Sequence, residues 1–187
     1  MKNTKKYSII YCDPPWKFGS KQYQDSGRPF QDLEEQYKTM NYKDIEALNV
    51  ELITNKDCAC FMWTTDSHLQ EAINLLKTWG FKYKTIAFVW LKKYNTGTNV
   101  VNFAPWTLKS TEICLLGIKG KMGKYKKSNK VRQLVESERS THSKKPNEVR
   151  ERINQLFGDL PRIELFAREK TEGWDAWGNE IESDIKL

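Results

Sequence analysis

Apolar residues along this chain fall into short runs separated by polar segments, and the runs alternate between two periods. Residues 7–12 (YSIIYC) are mostly apolar with β-branched and aromatic members, and the run stops at Asp13-Pro14-Pro15, which cannot continue a ladder. This predicts a buried strand ending in a rigid loop. Residues 58–64 (CACFMWT), 81–92, 112–118 (EICLLGI) and 162–167 (RIELFA) predict four more strands. Helical spacing lies between them. Residues 41–48 set Ile45 and Leu48 on one side, and residues 67–79 carry a stripe of Leu69, Ile73 and Leu76, joined by Leu75. Asp66 is the expected N-cap of that helix, and Gly80 follows its end. A third helix is predicted from Pro146, acceptable at a first position, to Phe157, with Val149, Ile153, Leu156 and Phe157 inward and Gly158 closing it. Residues 17–37 hold neither period and read as a long polar loop; residues 95–106 are turn-rich, and residues 131–135 form a short apolar piece. Strands alternating with helices, and apolar nearly throughout, predict an α/β fold with a mostly parallel sheet covered on both faces.

Composition narrows this picture. The 187 residues suit one domain, and a 39% hydrophobic fraction with 12% aromatics suffices for a core and is too rich for a disordered chain. No apolar run approaches the ~18–20 residues of a membrane span, and the start MKNTKKYSII lacks the apolar stretch of a signal peptide, so a soluble, cytoplasmic protein with no membrane partner is expected. The four cysteines lie in or beside apolar runs, and the two histidines are badly spaced for ligation, so core thiols and no metal are expected. Charge carries more information. Residues 119–132 (KGKMGKYKKSNKVR) hold Lys119, Lys121, Lys124, Lys126, Lys127, Lys130 and Arg132 with no acidic residue, which equals the whole net charge of +7. Such a local excess suits a polyanion, although a solvated loop would have the same composition.

Open α/β sheets bind ligands outside the carboxyl ends of their strands. Asp13-Pro14-Pro15-Trp16 lies there, as do Lys145-Pro146 and the segment after the last strand. Two prolines fix φ and remove two N–H donors, which leaves the Pro14 carbonyl as an acceptor beside the Asp13 carboxylate, while Trp16 supplies a flat face. Two acceptors near an aromatic plane suit an exocyclic amino group on a heterocyclic base. The same block also fits a plain turn with a core tryptophan.

The block YCDPPW resembles the DPPW motif of adenine-N6 methyltransferases related to the catalytic subunit of the eukaryotic messenger-RNA adenine methyltransferase, a family with small bacterial and phage members. Further blocks are similar and in the same order: QYKTM at 36–40, residues 61–64 and 90–92, CLLGIKG at 114–120, STHSKKPNEV at 140–149, IELFAR at 163–168 and GWDAWGNE at 173–180. The resemblance implies a Rossmann-like methyltransferase fold with permuted motif order over a single domain, residues 1–187, and S-adenosylmethionine as cofactor. It implies a catalytic block of Asp13, Pro14, Pro15 and Trp16. Cofactor contacts would come from Asp13, Lys145, Glu164, Phe166, Arg168, Asn179 and Glu180: Lys145 for the methionine carboxylate, Asn179 and Glu180 for the ribose hydroxyls. Tyr37 would lie near the acceptor base. The contact to the cofactor's adenine and the role of His142 are unassigned.

The resulting expectation is direct methyl transfer to an adenine amino group in nucleic acid, with both amino hydrogens held by Asp13 and the Pro14 carbonyl. The target base has to be flipped out or single-stranded, with Trp16 and Tyr37 as stacking residues and residues 119–132 together with the loop from Lys17 to Arg28 on the phosphates. DNA is favoured over RNA because no zinc module or recognition domain is visible. A non-catalytic nucleic-acid-binding subunit of the same fold, and methylation of cytosine N4 or a protein amide, stay open at this level. So does a homodimer or a partner subunit as the source of target selectivity.

Overall fold

A computed structural model describes residues 5–17, 40–104, 106–139 and 144–187. Seven strands form one sheet in the order β5-β3-β4-β2-β1-β6-β7. They are β1 (Tyr7–Cys12), β2 (Thr54–Thr64), β3 (Lys82–Lys93), β4 (Thr111–Lys119), β5 (Leu134–Glu138), β6 (Arg162–Leu165) and β7 (Asp175–Trp177). The helices are α1 (Tyr42–Glu46), α2 (Leu69–Thr78) and α3 (Asn147–Phe157). The long polar loop expected at 17–37 lies outside the described residues, apart from Lys17.

Alternation along the central strands explains why the sheet is covered twice. Ile10 and Cys12 of β1, with Cys58, Cys60 and Met62 of β2, face a core that takes in Ala72, Leu75 and Leu76 of α2. Ile9 and Tyr11, with Ala59, Phe61 and Trp63, face the other core, completed by Val149, Ile153 and Phe157 of α3. The CxC cysteines therefore do share one face, and burial pushes their thiols well up from the ordinary range. In α2, Leu75 is buried more deeply than Leu69 or Ile73. The expected Asp66 cap is not made: residues Asp66–His68 form a 3-10 turn before α2, and the Asp66 carboxylate instead bonds Lys109 Nζ at 2.8 Å.

Strand direction departs from the simplest expectation at one place. β1 pairs parallel with β2 and β6, β3 with β5, and β6 with β7, but β4 is antiparallel to both β2 and β3. Six strands thus run one way and β4 alone runs the other. Apolar content is the same in either direction, so the reversal left no trace in the hydrophobic pattern. It matters for function, because the start of β4 lies at the carboxyl edge of the sheet and its end at the amino edge.

Candidate active site at the carboxyl edge

Asp13 follows β1, which sits between β2 and β6 with all three pointing to the carboxyl edge. The prolines after it produce a tight bend: the Trp16 N–H donates to the Pro14 carbonyl at 2.8 Å, and the Met40 N–H donates to the Pro15 carbonyl at 3.2 Å. One lone pair of the Pro14 carbonyl is therefore committed, which leaves a single acceptor site there. Lys145, which leads into α3, donates to Asp13 Oδ2 at 2.6 Å and lies 3.2 Å from Glu112 Oε2. Its ammonium also stands 5.7 Å from the centre of the Trp63 ring. Glu112, at the start of β4, is bonded by Lys92 as well. Asp13, Lys145, Glu112 and Lys92 thus form a chain of alternating charge along the edge.

Electrostatics keep Lys145 and Glu112 ionised. Burial works against the charge on Lys145, but the Asp13 and Glu112 carboxylates outweigh it and hold the ammonium above the usual lysine range. Burial likewise disfavours charge on Glu112, and Lys145 with Lys92 reverses it, holding that carboxyl below its ordinary value. Among the described residues no donor bonds Asp13 Oδ1, and the Asp13 side chain is 34% exposed, so this carboxylate is in part accessible from outside. Sequence reasoning missed Glu112 and Lys92. The available signal was a lone glutamate opening an otherwise apolar run, EICLLGI, which in a strand calls for a buried cation.

Trp16 departs from its expected role. It is 6% exposed, its indole N–H donates to the Trp63 carbonyl at 3.2 Å, and its ring stacks on His68 with centroids 5.7 Å apart. It anchors the bend in the core on the α2 side and does not offer an open face to a base; the plain-turn alternative describes this residue correctly. Tyr37 and His142 lie outside the described residues. Exposed aromatic surface does occur at this edge, on the connection from β3 to β4, where Phe103 is 67% and Trp106 97% exposed.

The last three elements bring the remaining expected residues to the same edge, on its β6–β7 side. β6 ends at Leu165, two residues short of the expected strand, because Phe166 adopts φ +62 and turns the chain. A bulky residue in that region is strained, a feature that concentrates at functional sites. The Phe166 ring meets Trp177 edge to face at 5.4 Å. The Ala167 N–H then donates to the Trp177 carbonyl at 3.0 Å, which draws the segment after β6 against the segment after β7. Gly178 permits this: a Cβ there would lie 2.1 Å from the Ala167 carbonyl oxygen. Gly178→Ala is accordingly expected to cost about 1–3 kcal/mol in denaturant unfolding, as overpacking against backbone does. Asn179 and Glu180 follow this junction, both exposed, with Glu180 3.8 Å from Arg168. Glu164 differs from expectation. Both of its carboxylate oxygens accept from the Arg150 guanidinium, at 2.8 and 3.0 Å, so it is committed to α3.

The basic segment is at the other edge. Cys58 pairs with Lys119 and Cys12 with Met62, so the chain leaves β4 beside the start of β2, opposite Asp13. The Asp57 carboxylate accepts the Lys121 N–H and the Lys124 ammonium, both at 2.7 Å, and the Lys127 N–H donates to the Leu156 carbonyl near the end of α3 at 2.8 Å. Arg132 follows on the return run, where Arg152 of α3 donates to its carbonyl. The expectation that Lys119, Lys121, Lys124, Lys126, Lys127, Lys130 and Arg132 hold phosphates around Asp13 is therefore corrected. The reversal of β4 is the physical reason.

The MT-A70 family model matches residues 7–180. The chain belongs to the MT-A70 family. It is a methyltransferase of that family, and its similarity to individual members is uneven. It is 40% identical over 189 residues to the type II methyltransferase M.MunI of Mycoplasma sp, covering 95% of this chain and 78% of that protein. To the human N(6)-adenosine-methyltransferase catalytic subunit METTL3 it is 25% identical over 182 residues, covering 28% of that protein, and to a Drosophila melanogaster MT-A70-like N(6)-adenosine-methyltransferase 26%, covering 27%. This MT-A70 chain thus spans most of the Mycoplasma protein and about a quarter of the animal ones. Among its described residues no helix is long and apolar enough to cross a membrane.

Proposed function

We propose that this protein transfers a methyl group from S-adenosylmethionine to the exocyclic N6 amino group of adenine in DNA. The observation that carries the reading is the Asp13–Lys145 pair at the carboxyl edge: Lys145 holds Oδ2 at 2.6 Å, no donor among the described residues bonds Oδ1, and the Pro14 carbonyl is the next acceptor along the chain. That is the arrangement of two acceptors that an amino group with two hydrogens requires. The side chains also suit the cofactor, with an ammonium at Lys145 for the methionine carboxylate and an exposed amide–carboxylate pair at Asn179 and Glu180 for the ribose hydroxyls. When bound, the cofactor supplies a methyl on a sulfonium centre, which departs leaving its bonding pair on sulfur.

The chain's own residues supply positioning and charge. An amine conjugated with a ring is a poor nucleophile because its lone pair is delocalised. Asp13 Oδ1 and the Pro14 carbonyl, each accepting one N–H, favour a pyramidal nitrogen with its lone pair directed away from both. As the nitrogen becomes cationic, Asp13 stabilises the charge and receives the proton that must leave. The target base leaves its stack to reach this edge, and Trp106 and Phe103 are the aromatic surfaces placed to meet its neighbours. DNA is preferred on the similarity to M.MunI, a type II methyltransferase. In this reading residues 1–187 act as a catalytic domain in the cytoplasm of a bacterial or phage-infected cell, with target selectivity from its own loops, a second copy or a partner subunit.

The test is incubation with labelled S-adenosylmethionine and either plasmid DNA or cellular RNA, followed by digestion to nucleosides. Label in N6-methyladenine from DNA is expected. Label in cytosine, in protein or in RNA alone would overturn the assignment of the substrate, and no incorporation into any of them would overturn the assignment as an enzyme.

A further inference from the structure

The basic segment has no part in the site described above, yet it is neither loose nor neutralised. Met122 is 1% exposed and anchors residues 122–125 as a short turn beneath the second core. Gly120, at φ +67, brings the chain so close to β2 that a Cβ would lie 2.4 Å from the Lys56 carbonyl oxygen. The three bonds to Asp57 and Leu156 complete a fixed platform. On it, Lys119 pairs with Glu51 and Lys124 with Asp57, but among the described residues no carboxylate lies within ion-pair distance of Lys121, Lys126, Lys127 or Lys130. Lys56 and Lys82, at the starts of β2 and β3, add two further exposed cations without an ion pair among the described residues.

The carboxyl edge is the reverse. There Lys92, Lys93, Lys109, Lys144 and Lys145 are paired with Glu112, Glu136, Asp66, Glu169 and Asp13 respectively. Arg139, at the end of β5, is an exposed cation without such a partner among the described residues. Among the described residues, cations without an ion pair are therefore concentrated away from the chemistry. Asp57 and Trp63 are six residues apart in β2, so the two edges are separated by about 20 Å and face opposite ways. A duplex with one base in the site does not double back to the far edge, because DNA stays stiff over about 150 base pairs.

We propose that the amino edge is a second nucleic-acid site, where Lys121, Lys126, Lys127 and Lys130 bind the phosphodiester backbone of a DNA segment other than the one being methylated. This rests on the nucleic-acid reading of the substrate and adds a division of labour to it. The carboxyl edge recognises a base with aromatic and hydrogen-bonding groups, and the amino edge retains the enzyme on the polymer by sequence-independent charge. On long DNA a second segment held there keeps the enzyme nearby between turnovers.

The experiment compares wild type with a variant in which these four lysines are changed to glutamine and the ion-paired Lys119 and Lys124 are kept. Titration with a duplex of about a dozen base pairs at low salt should give two duplexes per chain for wild type and one for the variant. The slope of log affinity against log salt for long DNA should fall by about 3 to 4, at ~0.9 per lost phosphate contact. Methyl transfer to saturating short duplex should be unchanged. One duplex per chain for wild type, two for the variant, or an unchanged slope would each overturn the second site. Loss of transfer to the short duplex would return these lysines to the target strand. Binding is read without turnover, so failure of this proposal is distinguishable from failure of the methyltransferase reading.

Discussion

Asp13→Asn is expected to lower the single-turnover rate of methyl transfer by about 10²- to 10³-fold with little change in thermal stability. Asparagine keeps the size and one acceptor oxygen of aspartate, so a base amino group can still be met. It loses the charge that stabilises the nitrogen as it becomes cationic, a preorganised interaction of the class whose removal costs this much. The substitution also puts an amide where Oδ2 receives Lys145 at 2.6 Å, so a donor faces a donor or the acceptor is turned away from the substrate. Lys145 itself stays charged in the wild type because Asp13 and Glu112 outweigh its burial, and with a raised pKa its pairing supports the fold throughout the range below the ordinary lysine value and is lost only as pH rises past it. In the variant Glu112 remains as counter-charge, so the fold survives and the deficit appears in the rate. Rapid-quench measurement with excess enzyme on an adenine-containing duplex, beside a melting curve, separates the two. A rate within tenfold of wild type would remove Asp13 from the chemistry.

That the carboxyl edge would gather Asp13 and Lys145 was legible in the sequence, because strands announce themselves by apolar runs and ligands collect where those runs end. What was not legible followed from two kinds of event that hydrophobic pattern does not encode. The first is direction: CLLGIKG reads as a buried strand whichever way it runs, and its antiparallel placement sent the basic segment that follows it out at the far edge. The second is choice of partner. Trp16 and Glu164 lie where the resemblance implied ligand contacts, but the Trp63 carbonyl satisfies one and Arg150 satisfies the other, from positions 47 and 14 residues away in the chain. Glu112 shows the converse: nothing near it in sequence explains a carboxylate in an apolar strand, whereas Lys92 and Lys145 meet it in space.

The strongest effect on stability is expected at Arg150. Its side chain, only 7% exposed, gives two bonds to Glu164 and one to Asn147 Oδ1 at 2.8 Å, and its guanidinium lies 5.4 Å from the centre of the Tyr11 ring. Burial pushes the Glu164 carboxyl up even with Arg150 bonded to it, so the desolvation of this pair is not fully offset by its attraction. Arg150→Ala removes the offset and leaves a carboxylate in the core, which should cost about 3–5 kcal/mol at pH 7. The deficit should shrink as pH falls, because the folded variant takes up a proton at Glu164 at a higher pH than the unfolded chain does, and stability tracks the state that binds more protons. Arg150→Met combined with Glu164→Leu replaces both charges by apolar side chains and should recover stability to within about 1 kcal/mol of wild type. Urea denaturation of the three proteins at pH 5 and pH 7 checks this, and a double variant as unstable as Arg150→Ala would contradict the desolvation account. The same double variant decides the role of Glu164. If that residue belongs to the frame and not to the cofactor contacts, calorimetry should show S-adenosylmethionine bound within a few-fold of wild type; a well-folded double variant with affinity reduced more than tenfold would restore Glu164 to the site.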